Sequence, residues 1–228
     1  MEKIIQYLIV IIVVVGLLVS GIYIFFYQMK KDSYTSEYSY EVHIDTENVV
    51  TNVTVIVPLP VYSNEPFLGD DITSGKAHVP EDWRCSLVDS NGTTMLKIEI
   101  DRIEPNSYEH LRANQTSQDS IDTKSPQDDE PLLQPKYNMS ETEYGQPHPE
   151  EWDDRLKAYN YTTLVFLSYE GSNESEIRVS IRLSGSNTWW TLGWSGNEYW
   201  DNVSIEAKNG EKGWFIAEGK LVEGHGNY

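Results

Sequence analysis

The feature that constrains this chain most is a long apolar run near its start, from Ile4 to Tyr27. The run contains no charged residue, and only Gln6 and Ser20 interrupt it with clearly polar side chains. A helix rises about 1.5 Å per residue, so the run spans about 36 Å, which exceeds the roughly 30 Å hydrocarbon core of a bilayer. A cleaved signal usually has an apolar stretch of only about 7–15 residues. We therefore predict a permanent transmembrane signal anchor over residues 1–31, with residues 4–27 in lipid.

Two features of the sequence bear on which way the anchor faces. Lys30 and Lys31 follow the apolar run, whereas Lys3 precedes it beside Glu2, and these charges alone favour a cytoplasmic C-terminus. An excess of Asn-x-Ser/Thr triplets, the acceptor sequence for N-linked glycans, favours the opposite orientation. We predict a single-pass membrane protein with its C-terminal domain outside. The glycosylation candidates are Asn52, Asn91, Asn114, Asn138, Asn160, Asn173 and Asn202.

The location of these triplets separates two explanations for them. Alternating strand sequences such as Asn52-Val53-Thr54 generate the triplet incidentally, with no glycan implied. By contrast, Asn91, Asn114, Asn138 and Asn173 are predicted to lie in turns or loops, where a glycan can be attached. The second group therefore supports an outward-facing domain.

Beyond the anchor, apolar and polar residues alternate with a period of two. This pattern is typical of antiparallel strands that cover a core with one face. Asn91-Gly92 suits a tight hairpin turn, and residues 162–169 are apolar on both faces, which indicates a central strand. The fold class is predicted to be mainly β, an antiparallel β-sandwich with immunoglobulin-like layers. Alternating strands are predicted over residues 39–45, 53–57, 84–89, 94–100, 177–183, 203–207 and 214–222.

The predicted sandwich is divided by a segment of different composition. Residues 32–104 form its first half, and residues 105–148 are rich in Gln, Ser, Asp and Pro, which predicts a long disordered acidic insertion. Residues 149–228 form a short helix and the second half. In that helix Trp152, Leu156 and Tyr159 share one face at helical spacing, and we expect that face to dock on the sheet.

A cluster of aromatic residues is the main candidate for a ligand-binding site: Trp190, Trp194, Tyr199 and Trp200. Exposed aromatic rings with polar neighbours suit a sugar-binding surface, because rings stack on sugar faces and amides or carboxylates bind hydroxyls. Asn187, Asn197, Glu198 and Asp201 are the polar neighbours. The alternative is that these aromatics fill the core, although Trp189 and Trp190 must point to opposite faces of a strand.

Other chemistry receives no support from the sequence. Cys85 is the single cysteine, which excludes an intrachain disulfide and suggests a small buried side chain. The histidines lack ligand spacing, and no catalytic motif occurs, so we predict neither a metal nor a cofactor nor an enzyme. The net charge of −19 repels nucleic acid.

One segment resembles a group of known sequences. YSYEVHIDTENVVTNVTVIVPLPVY, residues 38–62, is similar to the start of uncharacterised signal-anchored surface proteins of archaea. In these an opening strand precedes an NVT-apolar-VPLP segment, here Asn52 to Pro60. The resemblance implies an archaeal envelope and an outward-facing domain, and it implies no activity and no site residue.

The function predicted from the sequence is therefore a non-catalytic structural or interaction role in the cell envelope. The expected partners are the lipid bilayer and either an envelope glycan or other surface proteins. The alternative is a carbohydrate- or ligand-binding module that uses the Trp-rich segment 189–200. A hydrolase of envelope polymers is a third hypothesis, and it requires two convergent carboxylates.

Overall fold

The structure is a computed structural model that describes residues 2–90, 92–107, 109–145, 156–172, 175–208 and 210–228. It opens with α1 (Glu2–Ser33), whose apolar side chains are exposed along its length. By length and composition α1 is able to cross a membrane. Two short helices follow, α2 (Gly69–Thr73) and α3 (Pro126–Asp129).

The rest of the described chain is dominated by antiparallel strands, and every alternating segment predicted from the sequence lies in one of them. The strands are β1 (Thr35–Thr46), β2 (Val50–Tyr62), β3 (Glu65–Pro66), β4 (Trp83–Ser90), β5 (Thr93–Ile103), β6 (His110–Ser117), β7 (Leu132–Gln134), β8 (Tyr137–Tyr144), β9 (Leu156–Glu170), β10 (Ile177–Trp190), β11 (Trp194–Ala207) and β12 (Gly213–Gly226).

These strands form one curled sheet with the shape of a half-barrel. Its order is β4-β5-β2-β9-β12-β11-β10-β1-β6, while β3 and β7 pair with β2, and β8 pairs with β9. The two-layer, immunoglobulin-like sandwich is therefore not confirmed. Long strands twist and coil, so a continuous sheet of them curls around its own apolar face without needing a second layer. The prediction that residues 162–169 are central is confirmed, because β9 lies between β2 and β12.

Alternation sets which side chains enter the core. In β1, Tyr40, Val42 and Ile44 are buried, while Glu41 and His43 between them are partly exposed. The same alternation runs through the other long strands, so the concave face is apolar and the convex, outer face is polar. The largest fully buried side chains include Tyr40, Tyr169, Tyr199, Leu59, Met95, Leu96, Leu111, Leu133 and Leu167.

Strand β2 is longer than the sequence indicates. The alternating pattern suggests an end at Pro58, but β2 continues to Tyr62 and pairs there with β3 and β7. Asn52 has a φ of +50° and interrupts the pairing register, so it forms a bulge rather than a regular strand position.

The predicted disordered insertion, residues 105–148, is described over residues 105–107 and 109–145, and its longer part is ordered. It contains β6, α3, β7 and β8, and residues 118–136, here called the inner segment, cross the concave face. Ile121, Leu132 and Leu133 are buried there. The prediction of disorder is wrong because it considered only how much apolar surface the segment could bury. It omitted the hydrogen bonds that the sheet offers to the segment.

The predicted helix after this insertion falls largely on residues 146–155, which lie outside the described residues. Leu156 and Tyr159 are described, and they lie in β9 rather than on a helical face. Pairing with β8 and β12 stabilises these residues as strand, which overrides a helical spacing that was marginal for so short a segment.

The end of α1 contacts the hairpin formed by β10 and β11. The backbone N–H of Trp190 donates to Ser33 Oγ at 2.8 Å. Tyr34 stacks on Trp189 with 5.9 Å between ring centroids, and Lys30 Nζ lies 4.1 Å from the Trp189 ring centroid. Helix α1 and the β domain are thus joined by specific contacts as well as by the chain.

Candidate ligand-binding groove

The structure does not bring the four aromatic candidates together. Trp190 and Trp194 face each other across the end of the β10–β11 hairpin, on the outer face. Trp200 also lies on the outer face, six residues further along β11 than Trp194, which is about 20 Å in extended chain. Tyr199 points inward, is fully buried and donates its hydroxyl to Pro131 O at 2.8 Å. Tyr199 is therefore a core residue, and its prediction as a surface ligand contact is wrong.

Three of the four polar neighbours proposed to bind sugar hydroxyls also point inward, whereas Glu198 points outward. Asn187 and Asn197 are buried, and Asn187 both accepts from Ile121 N at 3.0 Å and donates to Ile121 O at 2.8 Å. Asn197 Oδ1 accepts from Thr123 Oγ1 at 2.9 Å. These amides hold the inner segment against the sheet, so they are not available to a ligand.

Asp201, the third inward neighbour, forms a buried ion pair. Its Oδ2 lies 2.5 Å from Lys136 Nζ and accepts from Leu133 N at 2.9 Å, and its Oδ1 accepts from Tyr161 Oη at 2.5 Å. Burial lowers the pKa of Lys136, and the Asp201 carboxylate opposes that change. The pKa of Tyr161 is raised well above its ordinary value by burial and by the same carboxylate. The network fixes the inner segment at the centre of the sheet.

The site that the sequence did not reveal is a groove on the outer face. It crosses five neighbouring strands, β8, β9, β12, β11 and β10, and has a volume of about 780 Å³. This volume lies within the range of about 300–1,000 Å³ that small-molecule pockets occupy. Amide and hydroxyl side chains dominate its lining: Asn138, Ser140, Asn160, Thr162, Ser180, Asn202 and Ser204.

Strand register places these side chains in rows. Arg182 pairs with Asn202, Asn202 with Lys220, Lys220 with Asn160, and Asn160 with Ser140. Neighbouring strands lie about 4.8 Å apart, so this row is about 19 Å long. A second row, two residues away on each strand, comprises Ser180, Ser204, Glu218 and Thr162.

One acceptor in the groove has no internal partner. The side-chain oxygen Oδ1 of Asn202 is buried, and no hydrogen-bond donor reaches it within the described part of the chain. An unsatisfied buried acceptor costs roughly 1–3 kcal/mol. Rotation of the Asn202 amide would bring this oxygen to the surface of the groove, where a ligand hydroxyl that donated to it would recover that cost.

An aromatic cluster borders the groove beside Asn202. Trp200 lies two residues from Asn202 on β11 and contacts Tyr144 and His225 edge to face, with centroids 5.6 Å and 5.1 Å away. Arg182 lies 5.7 Å from the Trp200 ring centroid, and its guanidinium is 3.8 Å from Glu198, which also contacts His225 at 3.3 Å. Trp200 is thus the one aromatic candidate that the structure joins to a polar groove.

The charges around the groove nearly balance. Arg182 and Lys220 are positive and Glu218 is negative. Glu218 is the one carboxylate among the described residues that line the groove. Glycoside hydrolysis ordinarily uses two carboxylates flanking the bond. The described lining of the groove therefore contains one carboxylate rather than a pair.

Three glycosylation candidates line this same groove, Asn138, Asn160 and Asn202. All three lie in strands, as does Asn114 in β6, so the predicted loop positions of Asn114 and Asn138 are wrong. Asn52 lies in the β2 bulge and donates to Glu170. Asn91 and Asn173 lie outside the described residues.

Other sites receive no support from the described residues. Within them no group of three or more His, Cys, Asp or Glu side chains is placed to hold a metal. Cys85 is half-buried against the core, and burial raises the pKa of its thiol to about 11. The neutral thiol behaves as a small apolar side chain, as the sequence suggested.

The groove was not found from sequence because its residues come from five consecutive strands, β8 to β12, whose spatial order, β8-β9-β12-β11-β10, differs from their order in the chain. The available signal was the alternation itself, since the amide, hydroxyl and charged side chains that line the groove lie at outward positions of their strands. Alternation shows on which face of the sheet a side chain lies. It does not show which side chains lie beside it on the neighbouring strands, because the register between strands depends on tertiary pairing.

The geometry defines the class as an antiparallel β half-barrel, with an outer polar groove, that follows a hydrophobic helix of membrane-spanning length. Searches against protein-family models, curated proteins and solved structures find no match to this chain.

Proposed function

We propose that this chain is a single-span membrane protein whose β domain lies outside the cytoplasm and binds a neutral, hydroxyl-rich ligand, such as an envelope glycan, in the outer groove. The observation that carries the proposal is the juxtaposition of the unpartnered Asn202 acceptor, two rows of amides and hydroxyls, and the Trp200 ring. Hydroxyl groups exchange hydrogen bonds with amides, and sugar faces stack on aromatic rings.

The balance of charge supports this ligand class over its competitors. A net charge of −19 repels polyanions such as nucleic acid. An anionic ligand would be drawn to Arg182 and Lys220, but Glu218 lies in the same groove. A neutral glycan requires no compensating charge, and its hydroxyls match the Asn and Ser side chains.

Binding is tested by titrating the full-length protein in nanodiscs with neutral envelope oligosaccharides, using isothermal calorimetry. Asn202→Ala should weaken binding about 3–10-fold, because one hydrogen bond contributes about 0.5–1.5 kcal/mol. Asn114→Ala is the matched control, since Asn114 is also a strand asparagine in a glycosylation triplet but lies outside the groove. A flat titration at millimolar ligand would return the chain to a purely structural or interaction role.

The glycosylation hypothesis makes a competing prediction for the same groove. A covalent glycan on Asn138 or Asn160 would fill the groove and leave no room for a free ligand. Mass spectrometry of glycopeptides from native membranes decides between the two. We expect unmodified side chains at both positions, and high occupancy at either one contradicts the binding proposal.

The orientation is tested separately by adding protease to intact cells. With the β domain outside, its exposed loops are cleaved while cytosolic proteins survive. Full protection of residues 34–228, together with their degradation after permeabilisation, would place the domain inside.

A further inference from the structure

A second surface with exposed apolar side chains is the end of the β10–β11 hairpin, residues 190–194, here called the hairpin tip. Leu192 is 77% exposed and Trp194 is 75% exposed, and Leu192 has a φ of +59° that turns the chain sharply. Thr191 N donates to Gly193 O at 3.0 Å, which closes the tip. Ordered exposure of a leucine and a tryptophan on a tight turn is costly in water and favours an apolar or interfacial partner.

The position of the hairpin tip relative to α1 identifies that partner. Trp190 N–H binds Ser33 Oγ, and Ser33 is six residues beyond Tyr27, the end of the uncharged run. Six helical residues rise about 9 Å. Trp190 therefore lies about 9 Å above the level at which the uncharged run ends.

The direction of β10 brings the tip back toward the bilayer. β10 is antiparallel to β1, with Thr188 paired to Thr35, so β10 advances along the chain toward the last turns of α1. The contact of Trp189 with Lys30 shows that it has reached that turn. Leu192 lies two residues beyond Trp190, in the turn that follows β10. Two residues span at most about 7 Å, so Leu192 lies between about 2 and about 9 Å above the end of the uncharged run. The headgroup layer of one leaflet is about 5–7 Å thick, so Leu192 lies in this layer or at its outer boundary.

We propose that the hairpin tip inserts into the headgroup layer beside α1 and is a second membrane contact of the β domain. Trp is enriched at this depth because its ring is apolar while its N–H remains hydrogen-bonded. Two contacts, the helix and the tip, fix the tilt of the half-barrel over the membrane. The inference rests on α1 spanning the bilayer, as in the proposed function, but it does not depend on which side the domain occupies.

The test uses spin labels on full-length protein in nanodiscs, with Cys85→Ser removing the native thiol. Labels are placed at Leu192→Cys, at Ile216→Cys and at Val14→Cys, and collisions with oxygen and with a water-soluble nickel complex are compared. Ile216 is the matched control, because it is 78% exposed and lies near the opposite end of the domain. We expect an oxygen-to-nickel ratio at Leu192 several-fold above that at Ile216.

The spin label at position 14, in α1, distinguishes a failure of the insertion proposal from a failure of the membrane-anchor proposal. Equal ratios at positions 192 and 216, with a lipid-like ratio at 14, refute insertion while the anchor stands. A water-like ratio at 14 refutes the anchor and the inference with it. Quenching of tryptophan fluorescence by lipids brominated near the headgroup provides a check with the native cysteine. Trp194→Phe should remove much of the quenching and Trp214→Phe should leave it unchanged, whereas the reverse result also refutes insertion.

Discussion

Replacing Asp201 with Asn isolates the buried ion pair that holds the inner segment. Asparagine keeps the shape and removes the charge, so the Lys136 ammonium is left in an apolar environment with its neutralising partner gone. Removing one partner of a buried pair costs about 3–5 kcal/mol. For a domain of this size each kcal/mol lowers Tm by about 2–4 °C, so we expect Tm to fall by about 6–20 °C.

The assay is thermal unfolding of the full chain in nanodiscs, followed by near-ultraviolet circular dichroism. Asp101→Asn is the control, because Asp101 forms an ion pair of similar length, 2.7 Å to Arg84, on the exposed surface. That change should leave Tm unaltered within error. Adding Lys136→Met to Asp201→Asn should restore at least half of the loss, since no buried charge then remains.

The pH dependence of Asp201→Asn provides a further check. Burial holds the pKa of Lys136 below its unfolded value, which is about 10.4. The unfolded chain then binds the proton more tightly, so raising the pH stabilises the folded state relative to the unfolded state. The destabilisation should therefore shrink between neutral pH and about pH 10. A loss below about 1 kcal/mol, or a loss independent of pH and unrepaired by Lys136→Met, would refute the reasoning.

Three further predictions concern packing and reactivity. Cys85 should react with iodoacetamide at pH 8 about 100-fold more slowly in the folded chain than in urea, because a pKa near 11 leaves little thiolate; equal rates would contradict its burial. Gly219→Ala should cost about 1–3 kcal/mol in urea unfolding, since the new methyl group overlaps the Tyr161 ring, whereas Gly193→Ala, which meets open space, should be tolerated. Asn187→Ala should lower the free energy of unfolding by about 2–4 kcal/mol and speed hydrogen exchange in the inner segment, because two backbone groups lose their hydrogen-bond partners. Unchanged exchange would show that other contacts hold the segment.

The amino-acid sequence alone indicates most of the long strands and the apolar side chains with which they face the core. Residues 39–45, 177–183 and 203–207 were identified correctly because alternation is a local property of an amphipathic strand. The N-terminal helix is also predicted from the sequence alone, because residues 4–27 form a long apolar run without a charged residue. Of the candidate site, the sequence identifies Trp200 as a ligand-binding candidate and leaves the groove itself undetected.

The partners of each side chain depend on which strands are neighbours. Asn187, Asn197 and Asp201 resemble surface residues by composition, but they occupy inward positions in the alternation of β10 and β11. There they bind a segment that composition alone predicts to be disordered. The groove arises from the register among five consecutive strands, β8 to β12, which do not pair in the order of the chain. A side chain's face follows from its own strand, whereas its partners follow from long-range pairing that no local pattern encodes.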